Sequence, residues 1–128
     1  MSKWHYTAKT QEAGDELASF LANQRIGQKL RSQMRQLANE ADPRRPVSKE
    51  LDVRLVSHDC PTWYRLKIED IRMIFSLWQR RQGNSREYEP QEKTWDDCEN
   101  IINVEHVGYR DENTYRESRR RWRTSRGS

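Results

Sequence analysis

A chain of 128 residues suits one domain, and with 33% hydrophobic against 34% charged residues its core must be small. No apolar run approaches the roughly 18 residues of a membrane-spanning helix, and no apolar N-terminal segment indicates a secretory signal. Cys60 and Cys98 lie far apart, so they indicate neither a disulfide framework nor a zinc site. We expect a soluble, cytoplasmic protein that needs no metal or cofactor and contacts no membrane. The net charge of +4 fits an ordinary basic surface as well as a nucleic-acid-binding one.

The first half of the chain predicts one strand followed by a helical hairpin. Apolar and polar residues alternate over 4–8, as in a short strand. Thr10 is a candidate N-cap, and apolar residues at helical spacing follow it in two stripes, over 13–21 and 26–41. Asn23 stands between the stripes and either ends the first helix or caps the second. The short linker predicts that the two helices lie antiparallel.

The second half of the chain predicts antiparallel strands. Apolar and polar residues alternate over 51–57 and 63–68. A turn at Glu69-Asp70 leads into a strand over 71–78, and a return strand covers 101–107. Together with the first half, this order predicts an α+β fold: an N-terminal strand, an α-helical hairpin, an antiparallel β-sheet meander and a short C-terminal helix. The helices should cover one face of the sheet and leave the other free to hold a ligand.

The last twenty residues are expected to leave the sheet. Gly108 should break the final strand. A helix over 109–122 should follow, with Asp111 or Asn113 as its cap. Residues 123–128 are predicted to form a loose tail.

Three cations are expected on one face of the sheet. Arg65 and Lys67 are two residues apart on one predicted strand, so both side chains leave the same face, and Arg72 begins the neighbouring strand. Crowded cations repel one another unless an anion lies among them, and a phosphate-rich ligand would supply that anion. A solvated sheet face with unrelated charges explains the same pattern, so the spacing leaves both interpretations open.

Three short motifs, taken in order, resemble the RelE/ParE superfamily of type II toxins. Residues 63–68 (WYRLKI) and 70–75 (DIRMIF) are similar to two paired strands of that superfamily. Residues 102–110 (INVEHVGYR), followed by Tyr115, are similar to its last strand and C-terminal tyrosine. The superfamily's order of a strand, a helical hairpin and a meander is also the order predicted above. The resemblance therefore implies a RelE-like fold.

The resemblance also divides the chain. It implies a RelE-like toxin domain over 1–115, with residues 79–100 as a hairpin insertion that is long for the family. An arginine-rich extension over 116–128 follows it. RelE-like members cut mRNA in the translational A site, whereas ParE-like members poison DNA gyrase. The implied partners are a cognate antitoxin, the ribosome and mRNA.

The positions that carry catalysis in RelE-like toxins are all filled by suitable residue types. They are Arg65, Lys67, Arg72, Arg110 and Tyr115. The resemblance therefore favours a ribosome-dependent endoribonuclease that cleaves mRNA by 2′-OH attack without a metal. Lys67 is expected to act as general base and Arg110 as acid or transition-state stabiliser. Arg65 and Arg72 are expected to bind phosphate, and Tyr115 to position the substrate.

Other interpretations of the chain stay open beside the nuclease. A ParE-like gyrase inhibitor and a non-catalytic basic RNA- or DNA-binding module would both carry such cations. The arginine run near the C-terminus predicts either RNA contact or a solvated tail. The residues expected to bind RNA are Arg65, Arg116, Arg119, Arg120 and Arg121.

Two further groups of residues are expected to be structural or solvated. Strict alternation would put His106 on the strand face of Ile102 and Val104, which favours a packed structural histidine over an acid–base catalyst. Asp96, Asp97 and Glu99 are acidic residues in a charged segment without a spaced histidine, which favours a solvated loop over a metal site.

Overall fold

The computed structural model of the chain describes residues 3–81, 83, 85–90 and 98–126. Within these residues it contains six strands and three helices, which confirms the predicted α+β class. The elements follow the chain in this order: β1 (His5–Thr7), α1 (Gln11–Ala22), α2 (Ile26–Ala38), β2 (Asp52–Ser57), β3 (Cys60–Ile68), β4 (Ile71–Arg81), β5 (Glu87–Tyr88), β6 (Cys98–Tyr109) and α3 (Glu112–Arg126).

The six strands form one sheet in the order β1-β6-β4-β3-β2, with β5 paired to β4. The pairs β2–β3, β3–β4 and β4–β6 are antiparallel, as the meander prediction requires. The order differs from a simple meander in two respects. The last strand, β6, also takes β1 beside it in parallel, and the short β5 adds a second partner to β4.

The helical hairpin is set by its capping residues. The Thr10 side chain accepts a hydrogen bond from the Ala13 backbone N–H (3.3 Å) and caps α1, as predicted. Asn23 fulfils both expected roles: it ends α1, and its Oδ1 accepts the N–H groups of Arg25 and Ile26 at 3.1 Å. Gly27 lets the helices meet closely, because a Cβ there would collide with the carbonyl at the end of α1.

The main core lies between this hairpin and one face of the sheet, here called the hairpin face. Its buried side chains come from α2 and from the three longest strands, because the apolar stripe of the helix meets the apolar positions of each strand. They include Leu30, Leu37, Leu66, Met73, Phe75 and Val104. Trp4 closes the core beside β1, and its N–H donates to the Ala38 carbonyl (2.9 Å).

The opposite face, here called the α3 face, is partly covered by α3, so the prediction that it stays free is wrong. Trp122 of α3 packs edge-on against Trp63 with ring centroids 5.6 Å apart, beside the buried Ile74 and Cys60. The helix runs on to Arg126, so the loose tail predicted from residue 123 is helical as far as that residue. The predicted boundary after residue 115 falls inside α3.

A bulge in β6 corrects the alternation assumed from the sequence. Ile74 pairs with His106, whereas the next residue of β4, Phe75, pairs with Val104, so Glu105 is the extra residue of β6. His106 therefore lies on the α3 face and not on the face of Val104. Gly108 does not break the strand: it lies within β6 and pairs with Arg72.

The excursion from the sheet predicted over 79–100 is shorter than expected, because both of its ends belong to strands. At its two ends β4 continues to Arg81 and β6 begins at Cys98, where these two residues pair. The strand β5 lies between them and pairs with β4. Residues 82, 84 and 91–97 of the predicted excursion lie outside the described residues. In the described part of the chain, no helix is both long and apolar enough to cross a membrane.

Candidate functional site

Four of the predicted cations gather at one end of the sheet, around the turn between β3 and β4. Lys67 pairs directly with Arg72, and Arg65, two residues earlier on β3, lies opposite Ile74, so all three are on the α3 face. Arg110 follows β6, and its N–H donates to the Asp70 carbonyl in that turn (2.5 Å). We call Arg65, Lys67, Arg72 and Arg110 the turn cluster.

Arg72 is the most deeply buried member of the turn cluster. Its residue is 3% exposed, and its Nη1 donates to the carbonyls of Glu69 (2.7 Å) and Ile71 (3.0 Å). Glu69 has a positive φ of 53°, which non-glycine residues rarely adopt. Arg72 therefore stabilises a strained turn through hydrogen bonds from its buried guanidinium group. Its buried Nε–H has no hydrogen-bond partner among the described residues.

The other three members of the turn cluster differ in exposure. The Arg65 side chain is 14% exposed, and its nearest carboxylate oxygen, on Asp52, lies 3.9 Å away. The buried Nη1 of Arg65 makes no hydrogen bond to the described part of the chain. Lys67 and Arg110 are exposed. The cluster thus combines two exposed cations, Lys67 and Arg110, with one buried and one mostly buried guanidinium group whose donors are not all satisfied.

Tyr115, the predicted substrate-positioning residue, lies half-buried in the first turns of α3. That helix begins at Glu112, three residues after its predicted start, and Asp111, one of the two predicted caps, accepts the Thr114 N–H (2.9 Å). The Thr114 hydroxyl in turn donates to the Tyr109 carbonyl at the end of β6. These bonds hold the first turn of α3 at the end of β6, but no hydrogen bond or ring contact among the described residues joins Tyr115 to the turn cluster.

The arginines of α3 are largely engaged with carboxylates. Arg116 lies 3.8 Å from Glu112, and Arg120 bonds Glu117 (3.1 Å). Hydrogen bonds from Arg120, assisted by Arg121, lower the pKa of Glu117 to about 2. Arg119 is half-buried near Cys60, close to the start of β3 and away from the turn cluster.

Arg121, one of the predicted RNA-binding residues, forms the centre of an internal clasp that sequence reasoning missed. Its side chain is 12% exposed and bonds Glu16 (2.8 Å) and Glu12 (2.9 Å) of α1. It also donates to the Glu105 carbonyl (2.8 Å). Arg121 therefore ties α3 to the helical hairpin. The signal in the sequence is the i,i+4 spacing of Glu12 and Glu16 on one face of α1.

Glu16 also fixes the orientation of His106. Its Oε1 lies 2.9 Å from His106 Nδ1 and accepts the Val107 N–H (3.2 Å). Burial alone would raise the pKa of Glu16, but the hydrogen bonds from Arg121, His106 and Val107 outweigh it and lower the pKa. Because an ionised carboxylate only accepts, Nδ1 of a neutral His106 carries the proton and Nε2 carries the lone pair.

A cleft of about 420 Å³ lies beside the first turns of α3. The residues that line it are His106, Gly108, Asp111, Asn113, Thr114, Arg116 and Glu117. A Cβ built on Gly108 would lie 2.9 Å from Thr114 Oγ1 and 3.0 Å from His106 Nε2, so the glycine leaves space between those two groups. The cleft contains one of the predicted RNA-binding residues and none of the five predicted catalytic ones.

Two buried or partly buried acidic groups on the α3 face have raised pKa values. Burial raises the pKa of Glu105 although Ser76 Oγ donates to its Oε2 at 2.5 Å. Burial likewise raises the pKa of the Cys60 thiol. Neither residue belongs to a metal-binding group, because the described residues hold no set of three His, Cys, Asp or Glu suited to a metal. Asp96 and Asp97 lie outside the described residues. Glu99 lies in β6 and accepts a hydrogen bond from Arg80 (2.8 Å), so its predicted place in a solvated loop is wrong.

No protein-family model matches the chain, and no match was found among curated proteins or among solved structures. The fold and the site define an α+β domain with a cationic turn cluster at one end of its sheet. A charged clasp of Arg121 with Glu12 and Glu16 ties its last helix to the helical hairpin.

Proposed function

We propose that the chain is the toxin of a type II toxin–antitoxin system with a RelE-like fold, which cleaves mRNA in the ribosomal A site. The observation that carries the proposal is the turn cluster, where strand register brings Arg65, Lys67 and Arg72 to one face and a backbone bond holds Arg110 beside them. The proposal includes a cytoplasmic location and a cognate antitoxin that keeps the toxin inactive.

The order of elements supports the RelE-like part of the proposal. A strand, a helical hairpin, antiparallel strands and a terminal helix follow one another as in that superfamily. The motif residues 63–68 and 70–75 lie on neighbouring strands joined by a tight turn, and 102–110 runs beside the second of them. The motifs that resemble the superfamily are therefore neighbours in space as well as in order.

The chemistry of the turn cluster suits metal-independent cleavage of RNA. The 2′-oxygen attacks the adjacent phosphorus while the bond from phosphorus to the 5′-oxygen breaks, which leaves a 2′,3′-cyclic phosphate and a 5′-hydroxyl. Lys67 takes the proton from the 2′-OH, and Arg110 stabilises the charge on the phosphoryl oxygens or protonates the leaving oxygen. Both are exposed, as substrate contact requires.

The buried arginines have a supporting part in this chemistry. Arg65 and Arg72 hold positive charge beside the two exposed cations, where limited water leaves the field weakly screened. Because their unpaired Nη1 and Nε atoms are themselves buried, these arginines act on the phosphate through their charge and not through those donors. Tyr115, on the helix that packs over this face, positions the nucleotide.

Primer extension on mRNA in a translating extract tests the proposal. The wild-type protein should produce cuts at fixed positions within codons. Lys67→Ala and Arg110→Ala should each reduce the cutting rate by about 100-fold or more, the usual cost of losing a catalytic base or a charge-stabilising donor. Arg45→Ala is the matched control, because Arg45 is an exposed cation outside the sheet and should leave the rate unchanged.

Other results of the same experiment would redirect the proposal. DNA breaks that depend on gyrase, without mRNA cuts, would support the ParE-like alternative. Absence of both activities with retained RNA binding would support a non-catalytic RNA-binding module. Equal activity of the wild type and both turn-cluster variants would contradict the assigned site.

A further inference from the structure

Cations without a salt bridge among the described residues gather in and beside α2, whereas three of the arginines of α3, Arg116, Arg120 and Arg121, have one. Arg25, Arg31 and Arg35 are exposed and form no salt bridge with any residue that the structure describes. Lys29, between them, bonds Glu69. Residues 23–39 contain no aspartate or glutamate, so nothing on the helix itself offsets these charges.

Helix stability explains Arg35, which lies in the last turn where the dipole favours positive charge, but it does not explain the other cations of this face. Arg25 and Lys29 lie at the N-terminal end, where the helix dipole disfavours positive charge, and the first turn has no acidic residue. Arg25 with Lys29, and Arg31 with Arg35, are like-charged pairs at i,i+4, which also disfavour the helix. Because these charges lower the stability of the helix that carries them, we infer that they serve to bind an external anion.

We propose that the exposed face of α2, formed by Arg25, Lys29, Arg31 and Arg35, binds the phosphate backbone of RNA. The exposed residues of α2 between these cations are also polar: they are Gln28 and Ser32. A protein partner would need apolar anchors at the centre of its interface, and this face offers none. Phosphate contacts need only cations and hydrogen-bond donors, which this face supplies along its whole length.

The α2 face joins the turn cluster at the turn between β3 and β4. Lys29 reaches Glu69 in that turn, and Arg25 lies near enough to help Lys29 lower the pKa of Glu69. Asp70, the next residue, accepts the N–H of Arg110. The α2 face and the turn cluster therefore meet at this turn, whose exposed carboxylates, Glu69 and Asp70, lie between them. The choice of RNA as the polyanion rests on the proposed function, but the binding needs no cleavage.

Binding of a 2′-O-methyl RNA oligonucleotide, followed by fluorescence anisotropy across a salt series, tests the inference. The methyl group blocks the attacking oxygen, so binding is measured without cleavage. The triple variant Arg25→Gln, Arg31→Gln, Arg35→Gln should bind at least about tenfold more weakly near physiological salt. The slope of log affinity against log salt should fall by about 2, because each lost phosphate contact removes about 0.7.

The matched control removes three cations from α3 with the same change of net charge. Arg116→Gln, Arg120→Gln, Arg123→Gln should lower the salt slope by less than half as much, because Arg116 and Arg120 already bond carboxylates. Circular dichroism should give the same helix content for both variants. Equal losses in the two variants would overturn the inference, since only net charge would then matter.

Two further measurements distinguish RNA binding by the α2 face from RNA cleavage by the turn cluster. Lys67→Ala and Arg110→Ala should keep the α2-dependent part of the salt slope even where they abolish cleavage. A wild type that binds through α2 but cuts no mRNA would leave the inference standing and refute the nuclease. Binding of a polyglutamate peptide can be measured in the same way. If the α2 variant loses peptide binding but keeps RNA binding, the inference is overturned in favour of an acidic protein partner.

Discussion

Single residues near the end of β6 decide what the α3 face presents. Glu105 is the extra residue of the bulge, and its insertion turns His106 toward α3 and brings Gly108 opposite Arg72. His106 can then bond Glu16, and the absent side chain of Gly108 leaves room for Thr114 and for the His106 ring. The position of one inserted residue thus sets both the cleft and the neighbours of the turn cluster.

Two glycines should respond oppositely to the same substitution. Gly108→Ala should lower the free energy of unfolding by about 1–3 kcal/mol, because the new Cβ would press on Thr114 Oγ1 at 2.9 Å and His106 Nε2 at 3.0 Å. Gly14→Ala, in α1, is the control and should raise it by about 0.5–1 kcal/mol, because its Cβ would meet Ala8 at an ordinary 3.7 Å. Urea unfolding measures both free energies. An unchanged free energy of unfolding for Gly108→Ala would show that α3 can shift to make room for the new Cβ.

At the scale of elements, α3 depends on charged contacts as much as on packing. Trp122 is its large apolar contact with the sheet, and the clasp of Arg121 with Glu12 and Glu16 is its main charged attachment. An arginine held by two carboxylates gains most when it is shielded from water, and Arg121 is nearly buried. The docking of α3 should therefore depend on pH.

Glu16→Gln should weaken α3 docking at neutral pH and have little effect in acid. The pKa of Glu16 is lowered in the folded state, so its stabilisation is present above the ordinary value of 4.5 and is lost as pH falls through the folded pKa. Allowing for its partial exposure, the loss should be roughly 1 kcal/mol at pH 7. Urea unfolding at about pH 7 and pH 3 measures it. Glu12→Gln, whose side chain is 63% exposed, should cost less; an equal cost at both pH values would contradict the clasp.

Local patterns were enough to predict most elements, because their causes lie within a few residues. Thr10 and Asn23 cap their helices through bonds to neighbours two or three positions away, and alternation marks strands wherever pairing is regular. The bulge at Glu105 and the bond between Glu16 and Arg121 depend on residues far along the chain. No local pattern carries such contacts, which is why His106 was assigned to the wrong face.

The turn cluster, too, has some features that the sequence predicts and others that it does not. Strand alternation was sufficient to predict that Arg65 and Lys67 share a face, and the short turn was sufficient to bring Arg72 beside them. The burial of Arg72 beneath the turn could not be predicted, because it depends on the strained backbone at Glu69 and on the carbonyls that this backbone turns inward. The residue types of the turn cluster and their order along the chain could be predicted from the sequence, but the exposure of each side chain could not.

At the scale of the molecule, the last helix belongs to the same folded unit as the sheet. Ser118 is fully buried, and Trp122 covers Trp63 and Ile74 on the α3 face. The proposed toxin domain therefore shares its second, smaller core with the proposed extension. We expect one unfolding transition and not two.

Truncation after residue 115 tests this unity. It should remove roughly 3 kcal/mol or more of stability, because it exposes Trp63 and Ile74 and breaks the clasp at Glu16. The melting temperature should fall by about 10 °C. Truncation after Arg126 is the control and should leave it unchanged. An unaltered melting temperature after the shorter truncation would mean that residues 116–126 are an independent extension.

The parallel pair of β1 and β6 has a consequence for synthesis of the protein. It joins residues 5–7 to residues 101–103, and β6 lies in the interior of the sheet between β1 and β4. A nascent chain can form its hairpin and its first antiparallel strands early, but the sheet stays open until β6 leaves the ribosome. Arg110 emerges directly after that strand. Under the proposed function, no unfinished chain could be toxic to the ribosome that makes it.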